Sequence, residues 1–147
     1  MAKHSGGCLC GAVRYELRSD PFDCGWCHCR TCQLSSGAPA MVFASVPPDH
    51  LVWTKGEKRV RTVKSSSFGH RCFCESCGTP LLMRVDHQPE TVDFSVVTLD
   101  QPERVEPGFH IFWSSRIRWF EPRDELPRHD RFRPDTRGLD GTEPPGD

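Results

Sequence analysis

Nine cysteines in 147 residues stand in three groups whose spacing suits metal ligands. Cys8-Leu-Cys10 comes first, Cys24-Gly-Trp-Cys27-His-Cys29-Arg-Thr-Cys32 second, and Cys72-Phe-Cys74-Glu-Ser-Cys77-Gly78 third. The spacing C-x-C-x-x-C occurs twice, at Cys27/Cys29/Cys32 and at Cys72/Cys74/Cys77. Zinc takes four tetrahedral ligands, with sulfur at about 2.3 Å, and a C-x-x-C turn offers two thiolates to one ion. Glycine after such a turn accepts positive φ and lets backbone amides face the sulfurs, a place that Gly11 and Gly78 both fill. A lone buried cysteine behaves as a small hydrophobe, but that does not account for clustering in two places.

Coordination number divides the ligands. Cys8 and Cys10 supply half of a four-thiolate site, and Cys74 and Cys77 are the natural complement. Such a closed site is structural and contributes folding free energy outright. Cys27, Cys29 and Cys32 remain as a three-thiolate site with its fourth position open to water or substrate, the pattern of catalytic zinc. Zinc is therefore expected at two sites, of which the open one need not be fully occupied. Cys24, three residues before Cys27, is a competing fourth ligand that would close the second site; Cys24 and Cys72 otherwise remain as free thiols. His28 lies between two ligands, and an extended backbone turns it away from the metal, toward packing or an acid–base role. Arg30, Arg71, Arg116 and Arg118 are candidates for bidentate contact with substrate carboxylates.

Short strands must position these groups. Val13, Tyr15 and Leu17 alternate with polar neighbours, as in a half-buried strand. Residues 41–46, 51–53, 59–63, 67–71, 81–85 and 91–99 read as further strands, the first of them stopped by Pro47-Pro48. A turn or two of helix is expected after Cys29, through Thr31, Gln33 and Leu34, ending at Gly37. The fold class is mainly β, mostly antiparallel, with little helix. From about Pro122 proline and charge dominate, so residues 1–127 are read as one domain and 128–147 as a flexible C-terminal tail.

Composition excludes several functions. The 19 basic and 20 acidic residues leave a formal charge of −1, without the basic surplus of a nucleic-acid binder. No apolar run approaches the roughly 20 residues of a membrane span, and the start lacks a secretory apolar core. A cytoplasmic setting is expected, where cysteines serve as ligands or catalytic thiols rather than disulfides.

Three motifs carry a resemblance. Gly7-Cys-Leu-Cys-Gly-Ala-Val-Arg-Tyr15, Cys27-His-Cys-Arg-Thr-Cys32 with Ser36-Gly37-Ala38-Pro39, and Phe73-Cys-Glu-Ser-Cys-Gly-Thr-Pro-Leu81 resemble the glutathione-dependent formaldehyde-activating enzyme family, whose domain is also called centromere-protein-V-type. Phe109-His-Ile-Phe112, Arg118-Trp-Phe120 and Asp124-Glu-Leu-Pro127 resemble its closing segment. The resemblance implies a β-sandwich of the β-tent type with zinc knuckles. It also implies a structural zinc on Cys8, Cys10, Cys74 and Cys77, and a second zinc on Cys27, Cys29 and Cys32. The implied activity is a carbon–sulfur lyase reaction, condensing glutathione with formaldehyde to S-(hydroxymethyl)glutathione and reversing it, or a related reaction on another thiol or aldehyde. The partner is then a small-molecule thiol, glutathione by this resemblance, with no nucleic acid and no membrane. His110, in the family-like segment, is placed beside the open site with His28 as a candidate catalytic group. Two alternatives belong to other classes: a non-catalytic zinc-scaffolded binding module, and a thiol oxidoreductase using Cys24 or Cys72.

Overall fold

A computed structural model describes residues 2–133. In chain order the strands are β1 (His4–Gly7), β2 (Arg14–Leu17), β3 (Phe22–Cys27), β4 (Met41–Val46), β5 (Leu51–Lys55), β6 (Val60–Lys64), β7 (Gly69–Cys74), β8 (Pro80–Val85), β9 (Val92–Ser95) and β10 (His110–Ile111). Helix α1 (Arg30–Ser36) is the one α-helix among the described residues. A three-stranded antiparallel sheet has the order β1-β2-β5, and a seven-stranded sheet the order β10-β3-β4-β9-β8-β7-β6. Pairing in the large sheet is antiparallel except for β10 on β3, which is parallel. The fold is thus mainly β, as expected.

The core lies between the sheets. Tyr15, Leu17 and Leu51 of the small sheet pack with Val42, Ala44, Val46, Leu81, Val92 and Phe94 of the large one. The alternation read from residues 13–17 has the physical consequence expected of it: Val13, Tyr15 and Leu17 are fully buried. Tyr15 stands edge-on to Trp53, ring centroids 6.1 Å apart, and its hydroxyl meets Thr98 Oγ1 at 2.7 Å. The run 91–99 is not a single strand: β9 stops at Ser95 and a 3₁₀ turn covers Val96–Thr98. Thr98 Oγ1 donates to the Ser95 carbonyl at 2.7 Å, and the turned chain brings Leu99 to a bridge with Gly6.

Three strands carry no simple period. β1 is glycine-rich because Gly6 lies against Tyr15, where an added Cβ would stand 2.7 Å from the ring. β3 is bulged between Phe22 and Gly25, so alternation is lost along it. β10 has only two residues and exists through its pairing with β3.

Residues 128–133, read from composition as the start of the tail, return to the sheet. The His129 amide donates to the His110 carbonyl at 2.9 Å, Phe112 N to Arg131 O at 3.1 Å, and Phe132 stands edge-on to Phe112 at 5.0 Å. The remainder of that tail, 134–147, lies outside the described residues.

Candidate metal centres

The turn between β1 and β2 carries Cys8 and Cys10, and the turn between β7 and β8 follows Cys74 and carries Cys77. Their four sulfurs lie within 4.8 Å of one another. Gly11 (φ 77°) and Gly78 (φ 80°) hold the left-handed conformation that closes each turn, where an L side chain is strained. Their amides donate to the Cys8 and Cys74 carbonyls at 3.2 and 2.8 Å. The Val13 amide donates to Cys8 Sγ at 3.3 Å, and Leu9 N to Thr79 Oγ1 at 3.1 Å, which ties the two turns together. The Cys8–Cys10 and Cys10–Cys74 sulfurs are 3.6 and 3.9 Å apart. Tetrahedral zinc with sulfur at about 2.3 Å requires S···S near ~3.8 Å, so the cluster fits the ion. The Thr79 hydroxyl and amide hold the Cys77 thiol down at about 5, favouring the thiolate that a metal needs.

The second cluster is local. Cys27 ends β3, Cys29 caps α1, and Cys32 lies one turn into that helix. Their sulfurs also lie within 4.8 Å of one another, and all three residues are buried. Cys29 Sγ accepts the Cys32 amide at 3.2 Å, so the helix cap and the candidate metal ligand are one atom. Hydrogen bonds from the Cys27 and Cys32 thiols, then the Cys32 amide and the Arg71 charge, push Cys29 well below the ordinary thiol range. Arg71, on β7, is itself buried, and its Nη2 donates to Cys32 Sγ at 3.3 Å and its Nη1 to Met41 Sδ at 3.7 Å. Burial alone would lower its pKa, but the thiolate charge outweighs it. The Arg71 guanidinium faces the cluster and also lines the cavities beside it. Three cysteine sulfurs with one fixed cation and no fourth cysteine fit a metal that keeps one exchangeable position.

Cys24 is outside both clusters, packed against the main core, and burial pushes its thiol up to about 12. Cys72 is also outside them, buried, with Thr62 Oγ1 at 3.3 Å from its sulfur.

His28 and His110 are brought to each other rather than to the thiolates. Both are fully buried, and His28 Nε2 meets His110 Nδ1 at 2.8 Å. His110 Nε2 lies 3.0 Å from Asp124 Oδ2, and Arg128 braces the same carboxylate at 3.1 Å. The carboxylate only accepts, so His110 donates to it from Nε2. Burial, then the neighbouring His110, holds His28 down at about 4, and it is neutral. The hydrogen bond from His110 keeps Asp124 ionised against the opposing effect of burial. Trp113 stands edge-on to both rings at 5.0 and 5.2 Å. The period of two along β10 explains the division. Ile111 lines a small cavity with Cys27 and Cys29, while His110 takes the other face. Asp124 went unrecognised as a partner in sequence; its only signal was its place in the family-like closing segment.

That small cavity, about 60 Å³, shares Thr31, Ser65 and Arg71 with a larger cleft of about 430 Å³. Among the described residues no helix is long and apolar enough to cross a membrane.

Residues 3–115 match the family described as glutathione-dependent formaldehyde-activating enzyme. A Schizosaccharomyces pombe protein named an uncharacterized lyase is 32% identical over 81 residues, 55% of this chain and 57% of its own. A Podospora anserina protein provisionally named a glutathione-dependent formaldehyde-activating enzyme is 31% identical over 121 residues, 78% of this chain and 57% of its own. A Halomonas elongata protein with the same provisional name is 28% identical over 128 residues, covering 79% of this chain and 78% of its own. The chain spans a little over half the length of the first two relatives. A crystal structure of a Rhodobacter sphaeroides protein has a TM-score of 0.58 at 21% identity, covering 84% of this chain and 98% of that one, a likeness of fold. With residues 3–115, more than half its length, matched to that family, the chain belongs to the glutathione-dependent formaldehyde-activating enzyme family.

Proposed function

We propose that the chain is a zinc-dependent carbon–sulfur lyase that joins a small thiol to an aldehyde and separates them again. Glutathione and formaldehyde are the pair that the family description suggests, and the cytoplasm is the setting that suits a reduced thiol site. Cys8, Cys10, Cys74 and Cys77 are the ligands of a structural zinc, and Cys27, Cys29 and Cys32 of the reactive one. The observation that carries this reading is the contrast between a four-thiolate cluster with its coordination complete and a buried three-thiolate cluster beside a cleft.

Zinc bound at the three thiolates would favour the ionised form of a substrate thiol. The chain's own residues do the rest. Cys27, Cys29 and Cys32 fix the ligand geometry, and Arg71 offsets part of their negative charge. The Asp124–His110–His28 chain holds the segment bearing Cys27 and Cys29 in one orientation. In the forward direction the thiol sulfur bonds to the carbonyl carbon, the C=O π bond opens, and the proton lost from sulfur ends on the new hydroxyl. The reverse step returns it, with no change of oxidation state. Cys24, with its thiol pushed up to about 12, is a poor nucleophile for the oxidoreductase alternative.

Cys29→Ser is the test. The variant should keep its circular dichroism and one zinc per chain, while the parent holds two, and it should lose thiol-dependent turnover. Full activity in the variant would overturn the proposal.

A further inference from the structure

The cleft beside the three-cysteine cluster is chemically one-sided. It is lined by Leu34, Met41, Phe43, Val63 and Leu82, among other apolar residues, and Arg71 is the one charged residue among the described residues of its wall. That guanidinium is already directed at Cys32 Sγ and Met41 Sδ. The apolar character continues to the rim, where Leu34 is 68% and Val63 50% exposed. Isolated exposed apolar residues need no explanation, but two on one cleft mouth form a patch that a ligand would cover. The smaller cavity at Cys27 and Cys29 continues this wall with Phe68, Met83, Val85, Ile111 and Phe112.

Glutathione carries two carboxylates and an ammonium. Seated in this cleft they would lose water without gaining counter-charges, which disfavours the charged form there. An apolar group of one aromatic ring would instead fill part of the 430 Å³ and bury the exposed rim. We infer that the thiol–aldehyde adduct handled at this centre carries an apolar substituent about the size of an aromatic ring, which the cleft receives. This rests on the lyase reading above and names its substrate class. The balance of the step is unchanged: one S–C bond forms, and the thiol proton ends on the carbonyl oxygen. The ring can enter on either reactant, and the test separates the two sources.

Three pairs are compared on the zinc-loaded full chain by exchange NMR: glutathione with formaldehyde, benzyl mercaptan with formaldehyde, and glutathione with phenylacetaldehyde. One ring-bearing pair should exceed the first at least tenfold in kcat/KM, and which one does so identifies the reactant that bears the ring. Benzyl alcohol, with a ring but no thiol, should shift the methyl resonances of Leu34, Val63 and Leu82. Val63→Asp, and independently Leu34→Asp, should lower the ring-bearing preference at least fivefold. A glutathione–formaldehyde rate equal to or above both others, still lost in Cys29→Ser, overturns this inference and leaves the lyase reading standing. No acceleration of any pair overturns both.

Discussion

The two cysteine clusters use the same ligand and differ in what they hold. The four-cysteine cluster joins turns belonging to different sheets, with Cys8 and Cys74 separated by more than sixty residues. It reaches the surface, since Cys10 is exposed and Cys77 half-buried, so solvent shares the cost of its charge. The three-cysteine cluster spans six residues at one strand-to-helix junction and is wholly buried. Closing so short a segment removes little chain entropy, and concentrating thiolates away from water is costly unless a cation is supplied. Arg71 supplies it. A long-range cluster can be justified by the fold it fastens, whereas a local, buried and charge-compensated one is better suited to chemistry.

Cys74→Ala should have the largest effect, because it removes a buried sulfur from the proposed zinc cross-link between sheets. Structural zinc contributes on the order of 10 kcal/mol in small zinc domains, more than the ~5–15 kcal/mol net stability of a typical domain can lose safely. The variant should lack the cooperative thermal transition of the parent, whereas Cys27→Ala should retain one. Equal melting of the two variants would erase the distinction drawn between the clusters.

Arg71→Met should come next. It keeps the apolar stem but leaves the Cys32 thiolate uncompensated, at a cost of about 3–5 kcal/mol for breaking a buried charged pair. Urea unfolding with zinc bound measures it, and the same variant should bind the second metal at least tenfold more weakly. A loss below ~1 kcal/mol would mean that the cluster does not carry the charge assigned to it.

A smaller effect tests how dry this side of the molecule is. Burial pushes the Asp93 carboxyl up to about 6, with Ser45 Oγ donating to it at 2.6 Å and the Arg71 charge pulling the other way. A carboxyl whose folded pKa lies above its unfolded value near ~3.9 adds stability that is complete below that value and lost as pH rises through about 6. Stability should therefore fall by about 2–3 kcal/mol between pH 4 and pH 7 from this group alone. Asp93→Asn should remove that slope, and subtracting the variant's curve from the parent's cancels any loss of metal common to both. In the Arg71→Met background the slope should steepen, because the opposing charge is gone.

Much of this arrangement was legible in the sequence, for reasons that can be stated. The grouping of the sulfurs into a set of four and a set of three was legible because C-x-C and C-x-x-C spacings are short-range and a tetrahedral site needs a definite number of sulfurs. Strand β4, residues 41–46, was legible because both faces are buried and Pro47 ends it. Helix α1 was legible from its stop, where Gly37 takes φ 68°. What escaped was held by tertiary contact. β1 has almost no side chains to show a period, β10 exists only as a parallel neighbour of β3, and Leu99 leaves its strand to reach Gly6. The Asp124–His110–His28 chain joins residues 82 and 14 positions apart, which no local spacing discloses.

The smallest expected effect bears on the competing ligand. Cys24 precedes Cys27 by the interval that would close the second site, but β3 carries a bulge between Phe22 and Gly25. A bulge resets the alternation of side chains. Cys24 packs against the main core with Tyr15 and Phe94, whereas Cys27 joins the smaller group around Cys29 and Cys32. Burial pushes the Cys24 thiol up to about 12, and its sulfur has no place in either cluster, whereas Cys32 Sγ accepts a hydrogen bond from Arg71 at 3.3 Å. Cys24→Ser should therefore leave two zinc ions per chain and the thiol-dependent rate within about twofold of the parent, with a stability loss of about 1 kcal/mol from placing a hydroxyl in a half-buried apolar site. Loss of the second zinc in this variant would make Cys24 a ligand, closing the site and removing the open position on which the contrast between the clusters depends.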